Sequence, residues 1–106
     1  MLTQFPFTDL TGTSLRPALV VSAGQIGQDI VLVGISSVLR GVLAPTDYAV
    51  DASHPEFGLT GLRMTSVFRL HKLATVERSV VVRRLGRIGP QLQAEVDNLL
   101  RVVLDL

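Results

Sequence analysis

Asp29-Ile30-Val31-Leu32-Val33-Gly34-Ile35-Ser36-Ser37 is the stretch that decides how this chain folds. It is apolar on both alternating faces, as a strand inside a sheet and covered on both sides would be. Upstream lies a short Val-rich run, Ala18–Ser22, joined to it by Ala23-Gly24-Gln25-Ile26-Gly27-Gln28, a linker of hairpin length with two glycines. The polar segment from Thr8 to Leu15 reads as a loop before that run. Downstream, residues 40–47 contain Gly41 and Pro45 and read as a loop. Tyr48–Asp51 reads as a short edge strand, and Pro55, Gly58 and Gly61 mark a further loop. Thr65–Lys72 alternates, with Ser66, Phe68 and Leu70 on one face and Val67, Arg69 and His71 on the other. Ser79–Leu85 holds three consecutive valines, whose β-branching favours strand. Then the period changes. Gly89-Pro90 opens a helix with proline at its first position, and Leu92, Val96, Leu99, Leu100 and Val103 form one apolar stripe. The expected fold is mostly β: a strongly bent antiparallel sheet or barrel closed by one C-terminal helix.

Length and composition narrow the class. A chain of 106 residues fits a single domain. With 47% hydrophobic and 18% charged residues and a mean hydropathy of +0.43, disorder by composition is excluded. The absence of cysteine rules out a disulfide framework, a thiolate nucleophile and thiolate metal ligands. The longest stretch free of charge and proline, Ile30 to Leu39, is ten residues, and a bilayer span needs about 20. No basic segment followed by an apolar one opens the chain, so the expectation is a small cytosolic domain without a membrane partner.

A net charge of +1 hides an asymmetry. Residues 1–60 carry two basic residues against five acids, and residues 61–106 carry eight against four. Between Arg63 and Arg87 seven basic residues face Glu77 alone, a local +6. Such a segment suits a polyanionic partner, nucleic acid or an acidic peptide; the alternative is a solvated face.

Several chemistries drop out. His54 and His71 are the only histidines, neither in a metal-ligand spacing, and His54 precedes a proline in a loop, where an exposed side chain is expected rather than a ligand. Neither phosphate-cradling glycine motif is present, nor a G-x-S-x-G elbow. What remains is Arg, His and Ser. Arg69 and His71, two apart on one strand, leave the same face, opposite Phe68 and Leu70. A basic strand face with one group titrating near neutrality suits RNA backbone cleavage. That reaction needs a base for the 2′-OH, a donor to the departing 5′-oxygen and positive charge at phosphorus. The competing readings are an ordinary strand histidine, and a structural ion pair or general phosphate contact for Arg69. Arg16 stands before Pro17, where a strand begins. Ser36 and Ser37 end the central strand, either as phosphate donors or as turn starters.

At these residues the chain resembles the MazF/PemK (Kid-like) toxin family. Phe5-Pro6-Phe7-Thr8-Asp9-Leu10 and Leu15-Arg16-Pro17-Ala18-Leu19-Val20-Val21-Ser22 are similar to its P-F-P-F-T-D-L opening and its R-P-A-L-V run. Asp29–Ser37 matches the next strand. Ser66-Val67-Phe68-Arg69-Leu70-His71-Lys72-Leu73-Ala74-Thr75 resembles S-V-V-R-x-D-K-L-x-T, and Arg83-Arg84-Leu85-Gly86-Arg87-Ile88 with Pro90 resembles the junction into the last helix. The matches cover nearly the whole chain in the family's order.

The resemblance implies an SH3-like barrel with a C-terminal helix, usually a homodimer. It implies a metal-independent, sequence-selective endoribonuclease that needs no cofactor. Such an enzyme cleaves single-stranded RNA, chiefly mRNA, through the 2′-OH, and is held in check by an acidic antitoxin. By this likeness Arg16 is the catalytic arginine of R-P, Ser36 the hydroxyl residue that holds a phosphate oxygen, and Arg69 the arginine of V-V-R. His71 stands where many relatives carry Asp and would have to take its proton role. Ser37, Arg63, Thr65 and Lys72 are candidates for RNA contact. Relatives usually begin with an R-G-D-[IV]-V-L-V-like strand, of which Met1–Gln4 supplies only the end, so a shortened first strand is expected. A catalytically degenerate member that binds antitoxin, DNA or RNA is the alternative. The RNA sequence recognised would depend on residues 9–15, 38–47 and 52–64.

Overall fold

The computed structural model describes residues 1–9, 12–22, 27–37 and 43–106, with the backbone alone at 5–9 and 12–14. Leu10, Thr11, most of the expected linker (23–26) and residues 38–42, with Arg40, lie outside the described residues. Among the described residues six strands, β1 (Leu2–Asp9), β2 (Gly12–Val20), β3 (Asp29–Ser36), β4 (Asp47–Val50), β5 (Ser66–Glu77) and β6 (Arg83–Gly86), form one sheet in the order β4-β5-β3-β2-β1-β6. Every pairing is antiparallel. A one-turn helix α1 (Phe57–Thr60) follows β4, and α2 (Pro90–Leu104) ends the chain.

β3 sits inside the sheet, as its two apolar faces require. Val33 and Ile35 join a core with Leu2, Leu19, Phe68, Leu70, Leu92 and Val96, while Ile30 and Leu32 pack with Ala18 on the other face. All five stripe residues of α2 belong to the first core, with Leu92 and Val96 fully buried.

Three expectations are corrected. The segment from Thr8 to Leu15 is mostly strand: β1 and β2 pair from Leu2↔Leu19 to Asp9↔Gly12, because a continuous ladder satisfies backbone groups that a loop would leave to water. Arg16 therefore lies inside β2, not at a strand root. The Val80–Val82 run is not strand throughout. Arg78–Val80 forms a 3-10 turn and β6 starts only at Arg83. The chain must here turn from the end of β5 to the sheet's far edge; Val82 N–H reaches the Gln4 carbonyl at 2.8 Å, and Val81 packs on the Ala18/Ile30/Leu32 cluster. The region of Pro55, Gly58 and Gly61, read as loop, contains α1.

Two breaks in the ladder shape the middle of the sheet. Val20 donates to Met1 O and Val21 to Val31 O, so the odd residues of β2 turn their backbone groups toward β3. Pro17 is odd and has no N–H to donate, and the β2–β3 pairing stops at Ala18↔Gly34. Between β3 and β5 the register shifts. Val33 pairs with Leu73 but Gly34 with Arg69, leaving Leu70, His71 and Lys72 as a bulge. Leu70 anchors it: its side chain is buried and its N–H donates to Thr46 O at 3.1 Å.

The segment after β4 ties the two edges of the sheet together. Arg87 N–H donates to Leu59 O at 2.9 Å, and a β-carbon at Gly86 would overlap the carbonyl oxygens of Leu59 and Thr60. Ahead of α1, the Ser53 hydroxyl and amide both donate to Asp51, which holds that carboxyl below the usual carboxylate range. The buried carboxylate of Glu56 accepts from Gln91 N at 3.0 Å and Leu92 N at 2.7 Å, capping α2 from 35 residues away. It satisfies two of the helix's unpaired amides and places negative charge at the positive end of the helix dipole. Gly89 is left no room for a side chain beside it.

Replacing Glu56 by Ala is expected to cost about 2–3 kcal/mol, as two charge-assisted bonds and a buried cap are lost; urea denaturation reads this as a lower midpoint. Gly86→Ala should destabilise too, through the overlap with α1, whereas Gly58→Ala, where a β-carbon meets nothing within 4 Å, should leave the same midpoint nearly unchanged.

Candidate active site

A cavity of about 450 Å³ opens where β2, β3 and β5 part, and its lining is Arg16, Pro17, Gly34, Ile35, Ser36, Arg69 and Lys72. Each residue arrives by strand geometry. The β2–β3 register, Ala18↔Gly34, continued two residues past its end sets Arg16 across from Ser36. On the other side Gly34 pairs with Arg69. Residues opposite one another in register face the same way, so Arg16, Ser36 and Arg69 converge on one face. Gly34 keeps the floor open: a β-carbon there would only touch the Lys72 β-carbon at 3.7 Å, so packing does not forbid a side chain, but one would occupy the cavity. Lys72 reaches the site because the bulge turns it there.

Arg69 is held from behind. Its Nη1 donates to Asp47 Oδ2 at 3.2 Å, and the same oxygen accepts from Ala44 N–H at 3.0 Å. The Asp47 side chain is 1% exposed, against 25% for Arg69. His71 shares this carboxylate: its Nδ1 lies 3.6 Å from Asp47 Oδ1 and 3.0 Å from Thr46 Oγ1. Arg69 and His71 thus meet at Asp47, although the bulge takes His71 out of the ladder whose alternation was expected to pair them, and His71 does not line the cavity.

A second cavity of about 230 Å³ shares Pro17 with the first and is lined also by Gln4, Gly61, Leu62, Arg63, Arg83 and Leu85. Gln4 Oε1 fixes Arg83 through its Nε at 3.0 Å. The basic segment is therefore not one continuous face. Arg63, Arg69, Lys72 and Arg83 line the two cavities, joined by Arg16, while Arg78, Arg84 and Arg87 are exposed elsewhere.

Of the sequence-derived candidates, Arg16, Ser36, Arg69 and Lys72 are brought together and Arg63 lies next door. Ser37 is exposed just past β3, and Thr65 is half-buried just before β5; neither lines a cavity. His54 is half-buried rather than exposed, its Nδ1 accepting the Glu56 N–H at 3.0 Å, which places it in the scaffold. Asp47 and Thr46 were missed. They precede the expected edge strand, and only the β4–β5 register, Asp47↔Arg69, reveals their partners. Among the described residues no group of three or more His, Cys, Asp or Glu is placed to hold a metal ion, and no helix is long and apolar enough to cross a membrane.

This architecture has known counterparts. A MazE–MazF structure from Deinococcus radiodurans superposes with a TM-score of 0.72 at 22% identity, covering 99% of this chain and 92% of that one. An endoribonuclease from a mycobacterial species, solved in complex with its cognate antitoxin, gives 0.71 at 21% identity over 98% and 92%. The Mycobacterium tuberculosis toxin MazF-mt6 gives 0.69 at 18% over 98% and 97%. At these identities the likeness is one of fold. No curated protein sequence matches significantly. The model of the PemK-like, MazF-like toxins of type II toxin–antitoxin systems, however, matches residues 2–104, and the chain belongs to that family.

Proposed function

We propose that this chain is a metal-independent, sequence-selective endoribonuclease, the toxin of a type II toxin–antitoxin pair, acting in the cytoplasm as a homodimer on single-stranded mRNA. The observation that supports it best is the convergence of Arg16, Ser36, Arg69 and Lys72 on one cavity. Three cations and a hydroxyl around a space of that size suit a phosphodiester whose charge grows during reaction. In the proposed step the 2′-oxygen attacks phosphorus, its proton passes to a base, and the P–O5′ bond breaks as the 5′-oxygen gains a proton. The products are a 2′,3′-cyclic phosphate and a 5′-OH. Arg16 and Arg69 neutralise the phosphorane oxygens, Ser36 donates to one of them, and His71, which shares Asp47 with Arg69, takes the 2′-OH proton. Arg63 and Arg83 in the adjoining cavity hold a neighbouring phosphate of the same strand. Thr65 and Ser37, which line neither cavity, are left to contacts with other parts of the same RNA strand.

Purified protein should cut mixed-sequence RNA in EDTA, and Arg16→Ala should lower the rate by about a hundredfold or more, the scale of losing a charge-stabilising donor. Intact RNA with both proteins would overturn the enzyme reading and leave a degenerate member that binds antitoxin, DNA or RNA. Growth arrest on expression without an antitoxin, abolished by Arg16→Ala, distinguishes the two in cells.

Five cationic side chains over two cavities that share Pro17 also suit an acidic antitoxin segment. Binding of an acidic peptide should weaken about tenfold or more as salt rises from low to physiological strength, through screening and counterion release. A flat response in a fluorescence titration would point instead to a hydrophobic contact.

A further inference from the structure

We propose that Asp47 is a positioning residue of this site. One carboxylate oxygen holds the Arg69 guanidinium at the cavity wall. The other fixes the His71 ring with its proton on Nδ1, so that Nε2 is left as an acceptor. What Nε2 does to substrate rests on the RNA-cleaving reading; where the ring proton sits does not.

The argument starts from burial. A carboxylate 1% exposed is costly to keep ionised unless its oxygens find donors. Oδ2 has two, Arg69 Nη1 and Ala44 N–H. Among the described residues Oδ1 has no hydrogen-bond partner within reach, and a group of theirs that stands near it and can supply a proton is His71 Nδ1 at 3.6 Å, slightly long for a bond. A small rotation of the ring closes that gap. An ionised carboxylate can only accept, so an Nδ1 lone pair would face a carboxylate lone pair across the gap, whereas an Nδ1 proton completes it. Thr46 Oγ1, 3.0 Å from the same nitrogen, can donate or accept and does not oppose this choice. Among the described residues the charged group set against the ring is Asp47 from β4, with Arg69 bound to the same carboxylate and Lys72 next to His71 along β5. β3 contributes uncharged Gly34 and Val33 at the bulge.

The ring's other nitrogen belongs to a side chain that is 41% exposed. As O2′–P forms and P–O5′ breaks, Nε2 takes the 2′-OH proton, and the imidazolium gives Asp47 a stronger Nδ1–H bond than the neutral ring did. The departing 5′-oxygen takes its proton from water. Asp47 touches no substrate in this scheme and acts through Arg69 and His71 alone.

The test uses the full chain labelled with 15N, first without RNA. Long-range 1H–15N correlation should show neutral His71 with its proton on Nδ1. Asp47→Asn should invert it: the donors at the Oδ2 position claim the amide oxygen, which leaves the NH2 facing the ring and makes Nδ1 the acceptor. A proton on Nε2 in the unsubstituted protein, or no change in Asp47→Asn, overturns the proposal. The first of these outcomes stands even if the variant does not fold. With RNA, Asp47→Asn should lower kcat about tenfold or more with KM within about twofold. His71→Ala should lose at least as much, and the double variant no more than His71→Ala. Unchanged kinetics for Asp47→Asn, or losses that multiply, count against it. Should the unsubstituted protein cut no RNA, the enzyme reading fails while the proton's position on the ring is still decided by the spectra.

Discussion

β3 advances one residue, from Val33 to Gly34, while β5 retreats four, from Leu73 to Arg69, and the site depends on that mismatch. A ladder in register would leave three fewer residues of β5 at this point and no place for His71 and Lys72 outside it. The bulge is held because Leu70 inserts into the core and takes its backbone bond from Thr46, on the loop before β4. Packing thus fixes a backbone irregularity, and the irregularity brings Lys72 to the cavity and His71 to Asp47.

Two acids with buried carboxylates do related work at two places in the molecule. Glu56 accepts from two amides of α2, and Asp47 from an amide and a guanidinium. In each case the charge is kept where water is scarce by donors whose positions come from the surrounding backbone, which makes the arrangement costly to dismantle piecemeal. The consequence for Arg69 is conformational. A long, flexible side chain is restricted on one side by a fixed partner, and part of the entropy a ligand would otherwise have to remove is already lost.

Much of this was legible in the sequence. The doubly apolar β3, the β4 edge strand, the alternation of β5 up to its bulge and the stripe of α2 are local patterns, and burial of their apolar sides is the force that forms them. Arg16, Ser36, Arg69 and Lys72 carried recognisable motif positions and do converge. Position along the chain could not show Asp47↔Arg69, the reach of Glu56 to α2, or the turn that displaces the Val80–Val82 run. Each of these is a pairing between segments distant in sequence, set by register and closure of the sheet. His54 misled for the same reason: a histidine before a proline looks exposed until the amide it accepts, two residues on, is in place.

Pro17 works through something it lacks. The strands part at Ala18↔Gly34 because the next inward-facing residue of β2 offers no amide proton to β3. A substitution at this position would delete no charge, no hydroxyl and no packing contact essential to chemistry. Even so, it would restore a backbone donor and allow two neighbouring strands to zip further together across the mouth of the cavity. The opening is in that sense a gap maintained by main-chain chemistry, and its integrity is as much a property of one imino nitrogen as of the side chains that surround it.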